Sequence, residues 1–165
     1  MKIGTSKAKG NAYENKLSKQ LSQWLFNDKN ILQRHLTSGA IKSTYVGDIV
    51  PIKPISWKTF PILIECKYGY KDHLPTLMNF SIIEEWLTKS LKESELSDTQ
   101  KIIWLITRFH NQRSTLFFTS YQFDRKYIIP ILELNILYQN KIYKFYQYQL
   151  ETLVEFDFNL ISNFS

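Results

Sequence analysis

Cysteine and long apolar runs are scarce in this sequence. Cys66 is its single cysteine, so no internal disulfide can form, and folds that depend on disulfides are excluded. No apolar run approaches the roughly 20 residues that span a bilayer, and the start of the chain does not resemble a signal peptide. We therefore expect a soluble protein that makes no membrane contact and works in a reducing cytoplasm, that of the host if a virus encodes it.

Zinc-ligand clusters and glycine-rich loops are also missing from the sequence. His35, His73 and His110 have no close histidine or cysteine companions of the kind that form a zinc site. No glycine-rich phosphate-binding loop is present, which argues against the use of a nucleotide. We expect neither zinc nor a nucleotide cofactor.

Positive charge is abundant and unevenly distributed. The 165 residues carry a formal net charge of +6, and residues 1–50 contain eight Lys or Arg against three Asp or Glu. Basic clusters displace the counterions condensed on nucleic-acid phosphates, so a nucleic acid is the leading candidate for a partner. The alternative is a basic surface that only discourages aggregation.

Hydrophobic periodicity predicts one α/β domain. Helical spacing marks two amphipathic helices, the second with Trp86 expected in the core, and short apolar runs between turn signals mark five strands. We predict a central mixed β-sheet flanked by helices in a single domain, residues 1–165, with its core at about 8–120. Residues 121–165 form an aromatic-rich C-terminal extension. The predicted elements, in chain order, are a helix at 10–27, strands at 31–36, 45–50 and 60–67, a helix from residue 80, and strands at 102–106 and 116–119.

The most informative stretch is an apolar strand, Phe60 to Lys67, that ends in an acidic and a basic residue two positions apart. Residues two apart in a strand share a face, so Glu65 and Lys67 project together while Cys66 points to the opposite face. Such a pair can hold a metal ion and a water molecule side by side. The alternative is an ordinary ion pair at the end of a strand.

A second acidic residue interrupts the apolar run from Val46 to Val50, seventeen positions before Glu65. Asp48 is a poor strand former and costly to bury, which favours a role for its carboxylate. If the two strands are antiparallel neighbours, Asp48 and Glu65 converge at one end of the sheet and can share a divalent cation. The alternative is a turn formed with Gly47, which the apolar neighbours make less attractive.

Together these residues resemble the signature of the PD-(D/E)xK nuclease superfamily. Its aspartate corresponds to Asp48, preceded here by Gly47 in place of proline, and its second motif to Glu65-Cys66-Lys67. Glu14, on the first helix, lies where many members place a further metal-associated glutamate. Residues 34–39 are similar to the Arg-x-x-x-Ser-Gly segment of Holliday junction resolvases of the archaeal and phage type. The resemblance implies a restriction-endonuclease-like core.

The same resemblance implies a Mg²⁺-dependent DNA endonuclease that also accepts Mn²⁺. Asp48 and Glu65 would bind the metal, with Glu14 and the backbone carbonyl of Cys66 as further ligands. Lys67 would orient or deprotonate the attacking water, since nearby cations and partial desolvation lower the pKa of a lysine, or would act only through its charge. The remaining implied roles are a hydroxyl that positions phosphate or water, at Ser38, and DNA contacts, at Arg34, Lys16 and Lys42.

The implied substrate is branched DNA, a four-way junction cut by a homodimer, because two symmetric strands must be cut. The basic and aromatic run at residues 141–148 then serves as a dimer interface or as a DNA contact. Other functions stay open. The chain could be a restriction- or recombination-type nuclease acting on duplex DNA, a catalytically silent DNA-binding module with the nuclease fold, or a structural subunit of a larger assembly.

Overall fold

A computed structural model describes residues 6–35, 45–53, 55, 59–70, 80–110 and 112–162. None of the helices in these ranges is long and apolar enough to cross a membrane. The helices and strands, in chain order, are α1 (Ser6–Phe26), β1 (Leu32–Arg34), β2 (Ile49–Pro51), β3 (Ile62–Tyr68), α2 (Ser81–Glu95), β4 (Ile102–Arg108), β5 (Leu116–Thr119), β6 (Leu132–Tyr138), β7 (Lys141–Gln149), α3 (Leu150–Leu153) and α4 (Phe158–Ile161).

All the described strands belong to one mixed sheet, in the order β1-β2-β3-β4-β5-β7-β6. Strands β3 and β4 are parallel, and every other neighbouring pair is antiparallel. Helix α2 lies between the two parallel strands in the chain, as expected because a parallel pair needs a long crossover connection. Helices pack on both faces of the sheet, so the predicted α/β fold of the restriction-endonuclease type is confirmed.

Strand β4 shows how the sheet separates two hydrophobic cores. Its side chains alternate between the faces: Trp104 and Ile106 pack in the core with α1, and Ile103 and Leu105 pack in the core with α2. All four are almost completely buried. The prediction of a strand at 102–106 is therefore confirmed, and its uniformly apolar sequence reflects cover on both faces.

The predicted elements before residue 120 occur in the predicted order, but several of their ends differ. Helix α1 begins at Ser6, earlier than the periodicity indicates, and the described part of the second element is limited to Leu32–Arg34. The strand predicted at 45–50 is wrong over most of its length, because β2 begins at Ile49 and residues 45–48 form a loop. Trp86 is buried in the α2 core, as predicted.

The aromatic-rich extension adds two strands to the same sheet. Strand β7 pairs with β5, and β6 pairs with β7 and forms one edge of the sheet. Most of the rings of β7 are buried: Phe145, Tyr146 and Tyr148. The extension therefore contributes to the core, although the limits of the domain stay a prediction.

Residues near the end of the described chain hold α1 against the sheet. The Trp24 indole N–H donates a hydrogen bond of 2.9 Å to the carbonyl oxygen of Phe156. The Trp24 ring also packs edge-on against Phe158 of α4, with centroids 5.1 Å apart. On the same helix, the buried Ser22 hydroxyl accepts hydrogen bonds of 2.9 and 3.0 Å from two backbone amides at the entry to β1. Contacts distant in sequence thus fix α1.

Candidate active site

Asp48 lies in a tight bend that is fastened to the neighbouring strand β3. Its backbone N–H donates to the Ile64 carbonyl oxygen at 2.7 Å, and its Oδ2 accepts from the Cys66 N–H at 2.8 Å. The expectation that Asp48 lies within a strand is wrong, since the bend with Gly47 precedes β2. Its carboxylate is nevertheless held at β3, beside Glu65 and Lys67.

Gly47 makes this close approach possible. Its φ of +102° lies in the region that side chains other than glycine rarely adopt. A Cβ atom at this position would lie 2.8 Å from the Ile64 carbonyl oxygen, which is backbone and cannot move aside. The glycine in the place where the superfamily usually has proline is therefore required by the local geometry.

The buried side chain of Gln100 fastens the other end of the same loop. Its Oε1 accepts from the Val46 N–H at 2.6 Å, and its Nε2 donates to the carbonyl oxygens of Val46 at 2.9 Å and Ile62 at 2.8 Å. The Gln100 amide thus joins the loop that carries Asp48 to the start of β3. Sequence reasoning missed this residue because its partners lie 38 and 54 positions away.

Glu65 and Lys67 project together from β3, as the alternation of a strand predicts. The Lys67 Nζ lies 3.1 Å from Glu65 Oε2, and it donates a hydrogen bond there. Glu65 is only 5% exposed. Cys66 packs instead with Ile62 and Ile64 in the core on the α1 face. Burial and the three nearby carboxylates raise the pKa of the Cys66 thiol, so it stays protonated and inert.

Burial, together with the repulsion between carboxylates, sets the electrostatics of the site. Burial and the Asp48 charge raise the pKa of Glu65 to about 7, against the opposing effect of Lys67. Burial alone would lower the pKa of Lys67, but the charges of Glu65 and Asp48 outweigh it, and the net shift is upward. The Lys67 side chain is therefore an ammonium in the metal-free protein, and the expectation that nearby cations lower its pKa stays a prediction for the metal-bound site.

A cleft of about 460 Å³ opens where α1 approaches the end of β3. It is lined by Lys7 and Glu14 from α1, by Asp48, and by residues 66–70 at and beyond the end of β3. We call it the Asp48 cleft. Burial and the Asp48 charge raise the pKa of Glu14, while Arg34 and Lys67 lower it. Four of the predicted site residues thus line one cleft, namely Glu14, Asp48, Cys66 and Lys67, and Glu65 contacts one of them, Lys67.

The other predicted site residues are more scattered. The Arg34 Nε lies 3.9 Å from Glu14 Oε2, so Arg34 is placed beside the cleft by an ion pair. Lys16 is exposed on α1 and lines a neighbouring pocket of about 400 Å³ together with Arg108. Ser38 and Lys42 lie outside the described residues.

The donor set suits a hard divalent cation. In the part of the chain that the structure describes, no three His, Cys, Asp or Glu side chains form a closed metal cage. Mg²⁺ does not need one, because it is commonly bound through one or two carboxylates and keeps several waters. Asp48 and Glu65 offer such carboxylates, and their repulsion, which Lys67 only partly offsets, would be relieved by a cation.

Comparison with known proteins gives one finding. The family model described as "Phage putative PDDEXK endonuclease" matches residues 5–163, almost the whole chain. No curated protein and no solved structure shows a significant match. The matched range includes β6 and β7 as well as all the residues of the Asp48 cleft.

Replacing Gln100 by leucine is expected to destabilise the protein by about 2 to 4 kcal/mol, since buried polar groups of the loop and β3 lose their partners. Chemical denaturation measures the change. Gln149→Leu, at an exposed position on β7, is the matched control, and a change within about 0.5 kcal/mol is expected for it. Equal effects of the two substitutions would show that the Gln100 hydrogen bonds contribute nothing.

Glu65→Gln is expected to stabilise the metal-free protein at pH 8 and to have little effect at pH 5. The pKa of Glu65, about 7 in the folded protein, lies above its ordinary value of 4.5, so the unfolded chain loses this proton first as the pH rises. The free energy of unfolding therefore falls as the pH rises from 4.5 to about 7 and stays lower above that range, by about 3 kcal/mol from this group. Glutamine remains neutral and avoids the loss.

Thermal unfolding in EDTA at the two pH values measures this difference. Glu85→Gln, at an exposed position on α2, is the control for removal of a negative charge. Stabilisation by Glu65→Gln that is the same at both pH values would contradict the pKa argument.

Proposed function

We infer, because the chain belongs to this family of phage PDDEXK endonucleases, that it is a Mg²⁺-dependent endonuclease that hydrolyses DNA in the Asp48 cleft. Membership itself supports a nuclease of the PD-(D/E)xK type. The observation that carries the assignment to this cleft is the buried ion pair of Glu65 and Lys67, brought within electrostatic range of Asp48. An ordinary ion pair at a strand end has no second carboxylate fastened against it.

The roles of the residues follow from their positions. Asp48 and Glu65 would hold Mg²⁺, with the Cys66 carbonyl as a further ligand and Glu14 across the cleft; Mn²⁺ is expected to substitute. The chemistry that a bound Mg²⁺ supplies is Lewis-acid polarisation of a phosphoryl oxygen. The Lys67 ammonium orients the attacking water and stabilises negative charge that develops on the phosphate. Arg34, held beside the cleft by Glu14, is placed to contact a DNA phosphate.

The substrate that we propose is branched DNA, above all a four-way junction. The resemblance of residues 34–39 to resolvases supports it, as does the positive charge of the first 50 residues. Symmetric cutting of a junction requires two active sites, and therefore two copies of the chain.

Strand β6 is the surface that we propose for this homodimer. It forms an edge of the sheet, and among the described residues no strand pairs with its outer side. Leu137 on β6 and Ile142 on β7 are cross-strand neighbours, and their side chains are 70% and 72% exposed. An exposed edge with apolar side chains can pair with a second copy of itself about a twofold axis.

Cleavage of an end-labelled four-way junction, beside a linear duplex of matched sequence, tests the activity. Mg²⁺-dependent, symmetric cuts confined to the junction are expected. Asp48→Asn and Lys67→Ala are expected to lower the rate by about 100-fold or more, because each removes a charge that acts on the transition state. Asp98→Asn and Lys92→Ala change the same charges at exposed positions and should cut normally.

Other outcomes of this assay would decide between the alternatives. Equal cutting of the linear duplex would support the nuclease activity but reject a preference for junctions. Binding of DNA without cutting, in Mg²⁺ and in Mn²⁺, would show that the protein is a catalytically silent DNA-binding module. Equal activity of Asp48→Asn and the wild type would show that the active centre lies outside the Asp48 cleft.

Light scattering after size-exclusion chromatography tests the dimer. We expect a particle of twice the 19.7 kDa chain mass, and a shift toward the monomer in Leu137→Lys, because a charge would be placed in an apolar contact. Leu160→Lys, at a 58% exposed position on α4, is the control and should stay dimeric. A monomeric wild type at micromolar concentration would exclude this interface.

A further inference from the structure

Two tyrosines that the proposed chemistry does not use line the Asp48 cleft. Tyr68 and Tyr70 follow Lys67 directly, one on each side of Gly69, and both contribute to the wall of the cleft. Their side chains are 43% and 39% exposed. Tyr148, by contrast, is 1% exposed in the core. The exposed parts of the two rings are therefore accessible to a ligand in the cleft.

Gly69 places the two rings on opposite sides of the strand. In a continuous strand, residues two apart share a face, but the φ of +82° at Gly69 breaks this alternation. Tyr68 therefore lies against Tyr13 of α1, and Tyr70 lies against Trp86 of α2. A Cβ at Gly69 would meet nothing within 4 Å, so the glycine is required by its backbone angle and not by space.

Both rings are held in position from behind. Tyr68 stacks on Tyr13 with centroids 4.7 Å apart and an angle of 22° between the planes. The Tyr70 ring contacts Trp86, with centroids 4.8 Å apart, and Trp86 is itself stacked on Phe109. Such support reduces the side-chain entropy that binding would otherwise cost.

The backbone of this segment is fixed as well. The Gly69 N–H donates to the Arg108 carbonyl oxygen at 3.0 Å, and the His110 N–H donates to the Tyr70 carbonyl oxygen at 3.2 Å. The backbone of Gly69 and Tyr70 therefore continues the β3–β4 pairing beyond its last ladder pair, Tyr68 and Arg108. The two tyrosines flank Gly69 and follow Lys67 directly in the chain, and both line the cleft with Lys67.

We propose that Tyr68 and Tyr70 form a stacking subsite for an unpaired nucleobase next to the phosphate that is cut. Aromatic rings bind nucleobases through their faces, without regard to base identity. In a continuous duplex those faces are covered by neighbouring bases, so only a nucleotide unstacked at a branch, gap or flap can enter. The subsite rests on the proposed nuclease function and gives it a physical basis for selecting DNA with unpaired nucleotides.

Binding can be measured separately from cutting. The probe is a branched DNA with 2-aminopurine at the unpaired nucleotide beside the branch, whose fluorescence falls when the base stacks on an aromatic ring. Measured in EDTA, the wild type should quench the probe. Tyr68→Ala and Tyr70→Ala should lose the quenching and bind the branched DNA about tenfold or more weakly, with unchanged affinity for a linear duplex.

Three further variants make the result specific. Tyr68→Phe and Tyr70→Phe keep the ring and should restore both quenching and affinity, while unchanged affinity of the alanine variants for a linear duplex shows that their losses do not come from misfolding. Tyr127→Ala removes a ring that is 37% exposed outside the cleft, and should behave as the wild type. Equal loss of affinity for branched and linear DNA in the alanine variants, or quenching that they leave intact, would overturn the subsite.

The quenching experiment and the cleavage assay test the two proposals independently. If the wild type quenches the probe but cuts no DNA in Mg²⁺, the stacking subsite is supported and the proposed nuclease activity is rejected. If the wild type cuts DNA with Mg²⁺ and the alanine variants of Tyr68 and Tyr70 bind and quench as it does, the nuclease activity is supported and the stacking subsite is rejected.

Discussion

The fastening of the 45–48 loop onto β3 is the constraint on which the candidate site depends. Asp48 belongs to no strand, and its position is set by contacts to a neighbour: the backbone of Ile64, the Cys66 amide and the buried amide of Gln100. Loops are normally the most mobile parts of a fold. Here the loop is tied at both ends, so that a carboxylate is presented with the precision of a strand residue.

This precision has an energetic cost within the site. Two carboxylates are held close together at β3, where burial already disfavours charge, and a single lysine compensates them. The repulsion that remains between the two carboxylates favours the binding of any cation that can enter the cleft. The surrounding fold tolerates it because the large apolar cores on the two faces of the sheet stabilise β3 independently of the charges.

Sequence patterns predict the parts of this structure that depend on neighbours in the chain. Helices α1 and α2 and strands β3, β4 and β5 follow from apolar periodicity, and the pairing of Glu65 with Lys67 follows from strand alternation. The bend at Asp48 does not, because it depends on Gly47 lying against a residue of another strand. The role of Gln100 cannot be predicted from the sequence either, because its hydrogen-bond partners are distant in the chain. In β6 and β7, exposed Leu137 and Ile142 obscure the alternation that would have revealed two strands.

The attachment of α1 has a consequence for biosynthesis. Glu14 and Lys7 reach the cleft only when α1 is docked, and docking uses the Phe156 carbonyl and the ring of Phe158, more than 130 positions after Trp24. A growing chain on the ribosome exposes Asp48, Glu65 and Lys67 long before these residues emerge. A partly synthesised chain therefore carries all the acidic groups of the site, but α1 still lacks the contacts with Phe156 and Phe158 that hold it, so the Asp48 cleft is completed only when synthesis has passed α4.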